Sequence, residues 1–142
     1  MVAAADRARA AEDTAMISTR LLYWLVVAIS AVTVLSGAVL ILWPGPVLGF
    51  FGCNQSPTAM HFFGVIGMLM ALFGGALLNA LFSGRNAPIV VLWSGLQKAG
   101  GVIGMIIGIA HGIFSPMGWL LAGFDFVSAV LILTYLSRIG WR

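Results

Sequence analysis

Lys98 and Asp125 are ionisable residues lying inside long apolar stretches of this 142-residue chain. Charge at membrane depth is costly and marks either a pair or a pathway. Ser115 and Pro116 read as a helix N-cap followed by a proline at the first helical position. Asp125 then lies nine positions after Pro116, about 14 Å below that end at 1.5 Å per residue. Lys98 lies thirteen positions before His111, about 20 Å below the same level. An extended lysine side chain covers the difference of about 6 Å, so the spacing predicts a Lys98–Asp125 ion pair near the membrane midplane. Such a pair either locks the register of two helices or serves a proton or ion relay. Gln97 is expected to project toward a glycine groove, where its amide bonds a neighbouring helix or a ligand.

His61 opens one apolar run and His111 closes the next. Two imidazoles at matched depth on facing helices are what an iron with two axial histidines requires. Cys53, close by in sequence, would complete a three-ligand site for a soft or borderline metal. The competing reading is of interfacial histidines bonded to loop carbonyls or water. As the single cysteine, Cys53 has no internal disulfide partner.

The elements that must position these groups follow from composition. Hydrophobic residues make up 61% of the chain and charged residues 8%, and the mean hydropathy is +1.09, well outside the soluble range. Four runs reach the roughly 20 helical residues that a bilayer core needs, at about 21–43, 60–82, 89–112 and 116–137. The segments "PGPVLGFFGCNQSPTA", "SGRNAP" and "SP" separate them. The expected fold is an all-α membrane protein, an antiparallel bundle of four transmembrane helices. Residues 1–20 form a cytoplasmic tail, and 21–142 a single transmembrane domain. The first run is full length and follows a polar tail, so a retained span is expected rather than a cleaved signal peptide.

Arg7, Arg9 and Arg20 precede the first run, Arg85 lies between the second and third, and Arg138 and Arg142 follow the fourth; the other two connections are uncharged. Positive charge flanking spans stays cytoplasmic, which predicts both termini there. Tyr23, Trp24, Tyr135 and Trp141 mark that interface, Trp43 and Trp119 the other, and Trp93 lies deeper than a belt requires. The net charge of +3 is accounted for by these arginines, and no basic face remains for nucleic acid. The tail "AAADRARAAEDTA" suits a short surface helix. Phe50 and Phe51, between glycines, suit an apolar hairpin at the outer surface.

In "GGVIGMIIGIAHGIF" glycine recurs at Gly100, Gly104, Gly108 and Gly112. In water each interior glycine costs roughly 0.5–1 kcal/mol against alanine. In lipid, close backbone approach drives helix association, which makes such a stripe useful. Successive glycines rotate about 40° per step, giving one slowly drifting groove. The expected occupant is another helix of the same bundle, span two offering Gly64, Gly67, Gly74 and Gly75, with Gly37 and Gly123 in spans one and four. A helix of a second protein is the alternative.

From Leu22 to Arg138, with a proline-containing loop after span one, a glycine-rich span two, "GLQKAGG" in span three and "GFDF" in span four, the layout resembles small bacterial DoxX-like four-helix membrane proteins. That resemblance implies an accessory subunit rather than a named enzyme. Small multidrug exporters also have four helices but depend on a glutamate in span one, which has no acidic residue here. No catalytic motif is present. The expected function is a non-catalytic accessory or assembly subunit of an energy-converting complex, photosynthetic or respiratory, in a bacterial inner membrane. Its partners would be other integral membrane proteins and lipids. A small oligomeric transporter or channel using Lys98, Asp125 and Gln97 is the second reading. A haem-, pigment- or quinone-binding protein using His61 and His111 is the third.

Overall fold

A computed structural model describes residues 2–83 and 87–140, with side chains from Met16 onward. Arg85, Trp141 and Arg142 lie outside the described residues, as do the side chains of Arg7 and Arg9. Five helices account for the described elements: α1 (Val2–Leu42), α2 (Pro44–Phe50), α3 (Pro57–Phe82), α4 (Pro88–Ala110) and α5 (Gly118–Ile139). Four contain apolar stretches long enough to cross a membrane: Met16–Leu42, Pro57–Phe82, Pro88–Ala110 and Gly118–Ile139.

Prolines and glycines set the boundaries. Pro44 keeps Trp43 out of helical geometry (φ −136°, ψ 58°), which ends α1. Pro57 and Pro88 start α3 and α4 at positions where a missing N–H costs nothing. Ser56 Oγ caps α3 by accepting from the Ala59 N–H at 3.2 Å. α2 and α4 end alike, on a left-handed glycine. Gly52 (φ 70°) and Gly112 (φ 68°) let the chain fold back. The N–H groups of Gly52 and Cys53 donate to the carbonyls of Gly49 and Leu48, and those of Gly112 and Ile113 to Ile109 and Gly108. Ser115 N–H donates to Phe51 O at 2.8 Å, tying the two turns together at one end of the molecule.

Several expectations change here. The stretch after Trp43 is a short helix rather than a hairpin, with Phe51 buried and Phe50 exposed. α1 runs unbroken from Val2, so the tail is a continuation of the first span rather than a separate surface helix. α5 starts at Gly118 rather than Pro116. A tight turn precedes it, in which Gly118 N–H donates to Ser115 O, and the Ser115 hydroxyl is buried with no partner among the described residues instead of capping a helix.

α1 packs along α3 and α4 along α5, while α1–α5 and α3–α4 contacts join the two pairs into a ring. All four long helices supply the core of Val26, Ile29, Leu77, Val91, Ile132 and Leu136. Glycines bring the backbones of α1 and α3 close together. A Cβ placed on Gly37 would lie 2.5 Å from Gly67 O, and one on Gly74 would lie 2.9 Å from Ser30 O. Large apolar side chains cover much of the outside, as lipid-facing helices require.

Candidate functional site

α4 turns Val91, Ser94, Gly95 and Lys98 into the bundle. Lys98 Nζ lies 2.7 Å from Asp125 Oδ1 of α5, with the two side chains 3% and 13% exposed. The ammonium also sits 5.0 Å from the centre of the Phe124 ring, within cation–π range. At these burials neither charge is tolerable alone, and their mutual attraction offsets part of the desolvation penalty that both incur. Space for the carboxylate comes from Gly101, one helical turn beyond Lys98, where a Cβ would lie 2.6 Å from Asp125 Oδ2. Gly101 fell outside the four-residue glycine repeat. The signal for it was a residue without a side chain three positions from a buried lysine.

Beside the pair lies a cavity of about 10 Å³, lined among others by Thr33, Ser94, Gln97 and Lys98. That volume is at the lower bound for one water molecule. Ser30, Thr33 and Ser128 satisfy their hydroxyls on carbonyls four residues earlier, at 2.7–2.8 Å. Ser94 Oγ is equally buried and has no partner among the described residues. Gln97 also lines this cavity. The resulting polar layer across the bundle draws on α1, α4 and α5. The sequence reading found its charges and missed its hydroxyls.

The glycine repeat of α4 divides into three roles. Gly100 and Gly104 are exposed, and a Cβ on either would meet nothing within 4 Å. The expected packing of this stripe against span two is therefore absent: Gly67 and Gly74 meet α1, while Gly64 and Gly75 meet nothing. Gly108 is buried beneath the Phe114 ring, and Gly112 terminates the helix. Exposed Trp93, Leu96, Ile103 and Ile107 share the open surface with Gly100 and Gly104. The close contacts of α4 with α5 use other positions, notably Gly95, where a Cβ would lie 2.7 Å from the Leu133 side chain.

The three-ligand metal reading fails on geometry. Among the described residues no three histidine, cysteine or acidic side chains gather into a metal-holding group, so His61, His111 and Cys53 do not form the expected three-ligand site. His61 is exposed with its ring against Phe62, and His111 Nδ1 donates to Ile107 O at 2.8 Å. Cys53 Sγ donates to Ile113 O at 3.3 Å, and burial pushes its thiol pKa up.

No protein-family model matches the chain, and neither a curated protein nor a solved structure shows significant similarity to it.

Proposed function

We propose that this chain is a non-catalytic accessory or assembly subunit of a larger membrane complex, an energy-converting one of a bacterial inner membrane. It spans the bilayer as an antiparallel bundle with both termini cytoplasmic, as the arginine distribution favours. The observation that carries the reading is the open Gly100–Gly104 surface of α4, on which no helix rests among the described residues. Side-chain-free strips cost helix stability and repay it only where another backbone comes close. Trp93, 56% exposed on the same side, adds a large amphipathic anchor of the kind that dominates interfaces. The DoxX-like layout is consistent with a subunit of this kind.

The deciding experiment is purification from native membranes in mild detergent, with native electrophoresis and mass spectrometry of each band. The expected result is a large species with defined partners, lost in Gly104→Leu while the released chain keeps its helical content. A wild-type chain running alone or as a homo-oligomer overturns the reading.

A second reading, a small transporter or channel, draws on the cavity lined by Ser94, Gln97 and Lys98 beside the Lys98–Asp125 pair. It requires Asp125→Asn to abolish flux in vesicles while leaving assembly intact.

A further inference from the structure

At the end of the bundle opposite the two glycine turns, α1 and α5 border an open groove of about 550 Å³ lined by Met16, Thr19, Arg20, Tyr23, Tyr135 and Ile139. The Tyr23 and Tyr135 rings lie 6.2 Å apart at 56° and form its wall. The Tyr23 hydroxyl donates to Leu81 O of α3 at 3.3 Å, which fixes that ring against a third helix. Arg20 is exposed and makes no ion pair among the described residues. A second cation, Arg138, sits in the last turn of α5, three positions after Tyr135. The nearest acidic residues in sequence, Asp13 and Glu12, lie seven and eight positions before Arg20, about 10–12 Å along the helix.

The uninterrupted apolar run of α1 begins at Leu21, immediately after Arg20, so Arg20 and the tyrosines stand at the level where a bilayer changes from headgroup to hydrocarbon. A guanidinium there presents a planar fork that matches phosphate oxygens. The rest of the lining is aromatic and aliphatic. One ligand is both anionic at this level and apolar immediately below it. We infer that the groove binds an anionic glycerophospholipid of the leaflet at this end. Arg20 donates to its phosphate, the Tyr135 hydroxyl donates to a phosphate or glycerol oxygen, and the apolar walls take the proximal ends of its acyl chains. A free phosphate would leave those walls unused. The inference is independent of the subunit assignment, since it concerns α1 and α5 and leaves the open face of α4 untouched.

The test is native mass spectrometry of the full-length protein released from detergent after titration with phosphatidylglycerol or phosphatidylcholine. The wild-type chain is expected to retain the anionic lipid about fivefold better, the preference that one interfacial arginine supports. Arg20→Gln should reduce that preference toward parity with helical content unchanged; Tyr135→Phe should lower retention of both lipids, whose phosphate and glycerol oxygens are common, and that loss decides the matter if Arg20→Gln does not fold. Arg85→Gln removes the same charge from the α3–α4 connection and should leave the preference intact. Equal retention of both lipids, an equal loss in Arg85→Gln, or displacement of the lipid by excess inorganic phosphate overturns the assignment.

Discussion

The Lys98–Asp125 pair concentrates the residue-scale energetics of the bundle. A buried ion pair adds little over a well-packed apolar pair, but breaking one strands a charge. Lys98→Met or Asp125→Leu is therefore expected to cost about 3–5 kcal/mol in reversible unfolding from mixed micelles, with the double variant recovering most of the loss. A double variant as damaged as the sum of the single ones would remove the coupling that a 2.7 Å contact implies. Gly101→Ala should cost about 1–3 kcal/mol, since the new methyl collides with Asp125 Oδ2. Gly100→Ala, one position away in open space, should be neutral or stabilising by up to about 1 kcal/mol. Ser94→Ala discards a buried hydroxyl with no partner among the described residues and should likewise be neutral or stabilising. Cys53 gives a pH signature: a raised pKa keeps it protonated through neutral pH. Its alkylation should be slow at pH 7, and should accelerate with rising pH beyond the range where an ordinary free thiol has already levelled off.

For the helices, the decisive contrast is between glycines that meet backbone and glycines that meet nothing. Gly37, Gly67 and Gly74 bring α1 and α3 so close that a methyl at any of them would strike main-chain atoms, which cannot swing aside. Gly67→Ala or Gly74→Ala should thus weaken the α1–α3 pair and lower the apparent melting temperature in detergent, whereas Gly64→Ala and Gly75→Ala should leave it unchanged. Equal effects from the two sets would contradict the packing described. The sequence contained part of this distinction. Once Lys98 points toward Asp125, Gly100 lies about 200° and Gly104 about 240° around the same helix. Those two glycines then face away from the partner of Lys98. The repeat drifts far enough by Gly108 to bring that residue back under Phe114.

At the scale of the molecule, each long helix borders two others in a ring, so each keeps an outer face. On α1 and α5 that face is mainly large side chains such as Leu21, Leu35, Phe126 and Val130, suited to lipid. On α4 it includes Gly100 and Gly104, a shallow surface between bulky neighbours. Gly104→Leu is expected to leave the monomer folded and to remove it from the complex proposed above, as native electrophoresis would show. Loss of folding would instead mean that this surface is covered from within the same chain.

The amino-acid order alone determined that the chain is helical and carries four stretches able to cross a membrane, because apolar run length and proline or glycine breaks are local properties. It also placed Lys98 and Asp125 at compatible depths, because helix rise converts position into distance. Which surface each glycine met depended on helix rotation and on which neighbours closed the ring, and no local pattern encodes either. The same holds for α2 and for the turn before α5, where tertiary bonds such as Ser115 N–H to Phe51 O outweighed the capping signal of Ser115 and Pro116. The three-ligand grouping of His61, His111 and Cys53 failed for the converse reason, since comparable depth leaves bearing around the bundle undetermined. Only the packed structure set those bearings, because interhelical contacts in lipid are decided by shape at close range rather than by hydrophobicity.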